Sequence, residues 1–586
     1  MKRIGCTAIP VNYIMTPYHP LFHLYPEEVY MFFGAYGASL DMFAATSYNR
    51  DLWPQWYLAK NLERLQLMGE AAERHGLTGL LILCEPRMQH PGIFDRHPSW
   101  RGPRVDNPNI STTPVYSLNT DIPEVQDHYC RMLRTVLDAA PGIRDIVFFS
   151  QDSGAGFSFA EHLYSGPHGG RLYAKKPLVQ RVIDFCSVLR DEGRKTQPTF
   201  EVSLTTSFSI AERRGIHADD AEGIHLAVHG AESWCGGLED QWAYAQCGAQ
   251  RLEEIGFEAA REERVAKFGQ TMELARQHGR RPRCMSEAPN DLFFELKVVP
   301  NPWEQLEILE RYEQWDADSL FLRGYLTSDE ENPYDINQEA LRRFLSDRDC
   351  SATQAVHDSL AAWVREPVIA PLEEALRAVE TAVRNRPHYR NFIEREMPLF
   401  PGPLVPDPTA LTQEEKSYYW TVGHETLQRL HGPMHWVPRL DKPSAGYVLR
   451  QFNASTFPSL KISYAAFQDA REKAAGDENS IACIDEIEQY THIYECLQRT
   501  AFNLAQMVVH WLRIEGVDVP DPPAIVEAEI ENTEQWRTGL GDSPDKWVRL
   551  APYPGVMYSA HKGLPGHLEE RIRLMRRHRG DTMRCM

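Results

Sequence analysis

Eight short apolar runs recur through the first 345 residues, and amphipathic stretches separate them. They are "IGCTAIP" from Ile4, "LDMFAAT" from Leu40, "GLLILC" from Gly79, "DIVFFS" from Asp145, "FEVSLTT" from Phe200, "HLAVH" from His225, "RCMSE" from Arg283 and "SLFLRGY" from Ser319. Runs this short, apolar on both faces, suit parallel strands buried between two layers. Parallel neighbours need a long crossover, usually a helix, and the intervening stretches supply it. Asn61–His75 places Leu65, Met68 and Ala72 on one face and stops at Gly76. Asp121–Ala140 carries Val125, Tyr129, Met132 and Val136, with Asp121 as N-cap and Pro123 in the first turn. Glu258–His278 and Pro302–Trp315 show the same helical spacing. Eight strands with crossover helices predict an α/β fold, a (β/α)8 TIM barrel over residues 1–345. An open doubly wound sheet is the alternative, disfavoured because no Gly-rich nucleotide turn follows the first run.

Beyond residue 345 the pattern becomes helical. Helices are expected at Ala352–Ala382, broken near Pro367 and Pro371, and at Ser459–Ala475, Ile481–Glu515, Ile525–Gly539 and His567–Arg579. "MPLFPGPLVPDP" from Met397 reads as a Pro-rich linker. Residues 346–586 are therefore expected to form a mostly α-helical C-terminal domain packed on the barrel.

Net charge narrows the partners. A formal charge of -20 repels nucleic acid and anionic membrane surfaces. The 11 cysteines are an odd number with no C-x-x-C pair, which favours a reducing compartment over a disulfide framework. No leader and no spanning segment is read from the sequence, so a cytoplasmic location is expected. Homo-oligomerisation is left open.

In a barrel the chemistry lies at the C-terminal ends of the strands. Those ends carry Glu85 and Arg87, then Gln151 and Asp152, then His229, Glu232 and Trp234, then Glu287, then Arg323 and Tyr325. Acids from several strands, ringed by aromatics and histidines, suit glycoside cleavage, which needs one protonated and one ionised carboxyl. Asp152 follows Val147, Phe148 and Phe149, so burial favours its protonated form. Each residue has a plainer reading. Asp152 is equally a helix cap or turn former, Glu85 a structural partner of Arg87, Glu287 a loop anchor and His229 a core histidine. Cys235, Cys247 and their neighbouring histidines miss zinc-ligand spacing, so no metal and no cofactor is expected. "SGAG" from Ser153 lacks the remainder of a phosphate-loop pattern.

Several short segments in order carry a family resemblance. "CEPRMQHPGIFDRHPSWRGP", "STTPVYSLNTDIPEVQDHY", "VFFSQDSGAGFSFAEHLYSGPHG" and the stretch from Val298 to Phe344 resemble bacterial TIM-barrel glycoside hydrolases related to α-glucuronidases and β-N-acetylhexosaminidases. The resemblance covers roughly residues 40–350. It implies an exo-acting hydrolase with its general acid at the end of strand four, here Asp152. It also implies a water-activating carboxylate on a later strand, Glu287 by position with Glu232 second. The hexosaminidase relatives carry a carboxylate directly before the acid, where this chain has Gln151, a departure that counts against substrate-assisted hydrolysis.

The expected activity is removal of a terminal sugar, a uronic acid or an amino sugar, with Asp152 as acid and Glu287 as base. Glu85, Arg87, Gln151, Tyr164, His168, His229, Glu232, Trp234, Arg323 and Tyr325 would bind the carbohydrate. Arg87 or Arg323 suits a bidentate contact to a uronate carboxylate. The alternatives are a carbohydrate-binding barrel without activity, or a metal-dependent sugar-acid lyase or isomerase.

Overall fold

Seven of the eight apolar runs form strands. The computed structural model describes residues 5–12, 38–105, 114–150, 154–157, 176–205, 208, 210–218, 222–229, 266, 269–270, 272–279, 283–287, 296–323, 327–347, 349–385, 403–412, 415, 442–548 and 563–582. The strands are β1 (Ala8–Pro10), β2 (Thr78–Cys84), β3 (Arg101–Arg104), β4 (Tyr116–Leu118), β5 (Ile143–Phe149), β6 (Glu201–Thr205), β7 (Ile224–His229), β8 (Arg283–Glu287) and β9 (Ser319–Arg323). Seven of them pair in the order β1-β2-β5-β6-β7-β8-β9, and β3 and β4 form a separate two-stranded pair. Every pairing in the larger sheet is parallel. The runs "LLIL" and "IVFF" are buried nearly throughout, as strands covered on both faces must be. The side chain of Asn12 extends the β1 edge by donating to Ile82 O and accepting from Ile82 N, both at 2.8 Å.

The run from Leu40 is not a strand. Residues Leu40–Met42 form a 3-10 turn. Their hydrogen bonds close locally, Met42 N to Ser39 O and both Phe43 N and Ala44 N to Leu40 O. With these three amides spent on the turn and Leu40 N bonded to the Glu85 carboxyl, the run forms no ladder, and β1 pairs directly with β2. The strand from Asp145, expected as the fourth, is thus third in the sheet.

Helices follow most strands. They are α1 (Gln55–Arg74), α2 (Pro91–Arg96), α3 (Pro123–Ala139), α4 (Leu178–Arg194), α5 (Ile210–Ala218), α6 (Pro302–Gln314) and α7 (Ile336–Ser346). The expected cap at Asp121 is replaced by Ile122, which makes no side-chain cap. The Asp121 carboxylate instead accepts from Arg181 Nε at 3.0 Å. The apolar faces of α1, α3 and α4 close over the β1–β7 half of the sheet in one core that includes Leu65, Val136, Leu189 and Phe148.

The sheet curls. Phe321 of β9 packs against Ile82, Val147 and Phe149 of β2 and β5. In a flat sheet four strand steps would hold β9 about 19 Å from β5. A second cross-link lies nearer the strands' N-terminal ends. Arg283, the first residue of β8, pairs with Asp145 of β5 and Glu201 of β6. Its Nη1 also donates to Ser203 Oγ at 2.6 Å, and His225 Nε2 lies 3.4 Å from Glu201. Burial pushes Asp145 up to about 6 against the pull of Arg283. The adjacent His225, with Arg283 nearby, holds Glu201 down at about 2.

The C-terminal region is helical, with α8 (Ala352–Trp363), α9 (Glu366–Arg384), α10 (Lys442–Gln451), α11 (Phe457–Lys473), α12 (Glu478–Trp511), α13 (Pro522–Leu540) and α14 (Gly563–His578). The expected break near Pro367 falls between α8 and α9, while Pro371 is accommodated inside α9. A core including Cys284, Trp303, Leu372 and Ile484 joins β8 and α6 to α9 and α12. Glu380 of α9 ties them further by accepting from Trp303 N at 3.0 Å. No helix among the described residues is long and apolar enough to cross a membrane.

Candidate active site

The C-terminal edge of the sheet is where β2 and β5 hand their chains to loops. β2 ends at Cys84 and continues through a cis Glu85–Pro86 bond to Arg87. Both Glu85 and Arg87 are buried, at 1% and 3% exposure. Glu85 Oε1 accepts from Leu40 N at 2.8 Å. Its Oε2 accepts from Arg87 N at 2.9 Å and from the Tyr129 hydroxyl at 3.1 Å.

A second buried acid, Asp41, lies in the 3-10 turn beside them. It is bonded to Ser39 and accepts from Gln89 Nε2 at 3.2 Å. Arg87 Nη1 reaches Ser39 Oγ at 3.2 Å and Met42 Sδ at 2.8 Å. Burial, reinforced by the Asp41 carboxylate, pushes Glu85 up to about 8, against the pull of its three hydrogen bonds. Burial likewise raises Asp41, with Arg87 opposing. Burial thus pushes both acids toward their neutral forms, and the Arg87 charge opposes this at Asp41.

The chain leaving β5 is clamped to this corner. Met88 N donates to Gly154 O at 2.9 Å, and Gly156 N donates to Pro86 O at 2.9 Å. Arg87 and Ala155 form an antiparallel bridge. Gly154 N donates to Val105 O at 2.6 Å, and Ser117 Oγ donates to Gly156 O at 2.9 Å. Gly154 has φ +85, a conformation that glycine adopts without strain. The segment after β2 and the β3–β4 pair are thus bonded to residues 154–156. Behind it, Trp100 stacks on His97 with ring centroids 4.4 Å apart and meets Tyr48 at 4.7 Å. His128, held by Thr46 Oγ1 at 2.8 Å, is pushed down to about 4 by burial.

On the other side of the sheet, three expected site residues end consecutive strands. Glu287 and Arg323 are register partners at the ends of β8 and β9. His229 ends β7, where its register partner is Met285 of β8. Asp152, Gln151, Tyr164, His168, Glu232, Trp234 and Tyr325 lie outside the described residues. Among the described residues, no group of three His, Cys, Asp or Glu side chains is placed to hold a metal ion.

Sequence reasoning missed Asp41 and Tyr129. Asp41 had a signal, a carboxylate inside an apolar run, but reading that run as a strand hid it. Tyr129 was assigned only to a helix face, and its hydroxyl partner lies 44 residues away.

No protein-family model matches the chain, and no curated protein matches its sequence. Among solved structures, it is similar to a GH138 enzyme targeting pectin rhamnogalacturonan II, at 11% identity and TM-score 0.35, over 98% of this chain and 66% of that one. It is also similar to the family 89 glycoside hydrolase of Clostridium perfringens in complex with PUGNAc, at 8% identity and TM-score 0.36, over 93% and 56%. A complex of the Clostridium perfringens enzyme with GlcNAc-alpha-1,4-galactose gives 10% identity and TM-score 0.35, over 86% and 48%. The chain therefore spans only about half to two thirds of the length of these structures.

Proposed function

We propose that this chain is an exo-acting glycoside hydrolase that removes a terminal uronic acid or amino sugar. Residues 1–345 would form a (β/α)8-type TIM barrel, of which the described residues supply seven strands, with residues 346–586 as a helical domain packed on it. Asp152 is the general acid and Glu287 the general base that activates water. Gln151, Tyr164, His168, His229, Glu232, Trp234, Arg323 and Tyr325 line the sugar pocket, and either Arg323 or Arg87 takes a uronate carboxylate.

One observation supports the reading most. Glu287 and Arg323 end neighbouring strands in register, on a sheet curled enough for Phe321 of β9 to pack against the cluster of Ile82, Val147 and Phe149. In support of this reading, the curl draws β9 toward β5, and the sequence reaches Asp152 three residues past the end of β5. The acid then follows the third strand of the sheet and not the fourth, a departure from the pattern that the family resemblance implies.

In the mechanism, Asp152 protonates the glycosidic oxygen while Glu287 takes a proton from water attacking the opposite face. Inversion needs these carboxyls about 6.5–9.5 Å apart. The test is turnover of a panel of aryl α- and β-glycosides that includes uronides and N-acetylamino sugars. On the phenyl glycosides of the panel, whose leaving group needs an acid, Asp152→Asn and Glu287→Gln should each lower kcat by about 10²–10⁴-fold and spare product binding. Proton NMR should show the inverted anomer first. Full activity of Asp152→Asn on the phenyl glycosides, loss of activity to a chelator, or a retained anomer would each overturn the mechanism.

A further inference from the structure

The Glu85 carboxyl occupies a junction that a sugar ligand would not need. All three of its hydrogen bonds are internal, and together they join three parts of the chain. Leu40 belongs to the 3-10 turn, Arg87 to the segment after β2, and Tyr129 to α3. The segment it fixes, Pro86 to Met88, then holds residues 154–156 through two backbone hydrogen bonds and the Arg87–Ala155 bridge. Gly154 is only two residues beyond Asp152. On the other side Asp152 is two residues from Ser150, which is fully buried beside the end of β5.

We propose that Glu85 is a positioning residue for the general acid, pinning the Pro86–Met88 segment that in turn holds residues 154–156, which begin two positions beyond Asp152 in the chain. This rests on the assignment of Asp152 as the acid. Asp41 serves the same corner. It engages Ser39 and Gln89, and Ser39 in turn takes a hydrogen bond from Arg87. Glu85 then acts as a support and not as one of the sugar-binding residues.

Chemistry explains why a carboxyl is required. Two of the three donors are backbone N–H groups, on different oxygens, and neither can turn into an acceptor. Glu85→Gln sets its NH2 against one of them. The Tyr129 hydroxyl can reverse its role, so Tyr129→Phe is the milder perturbation and serves if Glu85→Gln fails to fold.

Two measurements on the full chain test this. The first is amide hydrogen exchange. In Glu85→Gln the amides of Met88 and Gly156 should exchange at least about 10-fold faster, while the β5 amides of Ile146–Phe149 stay protected. Unchanged exchange at Met88 and Gly156 overturns the proposal, as does equal acceleration in β5, which would mean general destabilisation. The second uses aryl glycosides whose leaving phenols range from dinitrophenol to phenol. A misplaced acid matters only for basic leaving groups. The kcat loss in Glu85→Gln should therefore be about 10–100-fold for the phenyl glycoside and near zero for the dinitrophenyl one. Asp152→Ala should show the same trend more steeply. If Asp152→Ala shows it and Glu85→Gln loses activity equally on all substrates, the positioning role is wrong and the acid assignment stands. If Asp152→Ala shows no trend, or the wild type turns over none of the glycosides, the acid assignment fails and the positioning role fails with it.

Discussion

Replacing Arg283 by Met tests the account of the charge cluster that links β5, β6 and β8. Arg283 and Asp145 are only 13% and 15% exposed, so solvent does little to replace their interaction. Asp145 already sits at about 6 with the guanidinium in place. Without Arg283 it binds a proton at neutral pH, and that protonation limits its added cost at pH 7 to about 1.4 kcal/mol, one pH unit above 6. Glu201 loses part of the effect that holds it at about 2 but keeps His225. It is one-third exposed, and after discounting for solvent its share is about 1–2 kcal/mol. Arg283→Met should therefore cost about 3 kcal/mol at pH 7.

The sign of the pH dependence is specific. In the wild type Asp145 keeps its proton above the unfolded value, so its contribution falls as pH rises from about 3.8 to about 6 and then levels off. In Arg283→Met the fall continues above pH 6. The difference between the two proteins should shrink by about 1.4 kcal/mol at pH 5 and widen at pH 8. Urea unfolding followed by circular dichroism at these three pH values measures it. An Asp145→Asn background should abolish the pH dependence. A loss below about 1 kcal/mol, or one that grows toward acid, would refute the reasoning.

Two further perturbations probe other parts of the fold. In the helical region Arg571 and Glu529 are almost fully buried and pair at 2.8 Å, with Thr500 and Asn503 each donating to Glu529 at 2.7 Å. Arg571→Leu strands the acid and should cost about 3–5 kcal/mol, whereas Arg571→Leu with Glu529→Gln should recover part of it, read from unfolding midpoints. Gly102→Ala would set a Cβ 2.7 Å from the backbone carbonyl of Leu118. Backbone cannot yield there without parting β3 from β4, so the variant should lose about 1–3 kcal/mol and exchange the amides of Val105 and Gly154 faster.

The strand alternation was legible because its cause is local and repeated. "LLIL", "IVFF" and their counterparts are apolar on both faces, and only a covered parallel sheet satisfies them. The helices read well for the same reason, as with Val125, Tyr129, Met132 and Val136 on α3. The run from Leu40 misled because a strand and a 3-10 turn differ in where the amides bond, not in which side chains are apolar. Composition likewise bounded the charge and the cysteine chemistry. Three things belong to tertiary structure alone. The first is that β1 pairs directly with β2, a choice among neighbours that periodicity does not encode. The second is the curl that brings Phe321 to Val147 and Arg283 to Asp145 across residues 138 positions apart. The third is the Glu85 corner, where Leu40, Arg87 and Tyr129 meet one carboxyl. The sequence shows that Glu85 follows a buried strand. Only the fold determines that its partners are the chain's own amides and hydroxyl, because hydrogen-bond partners so far apart in sequence are chosen by how the elements pack.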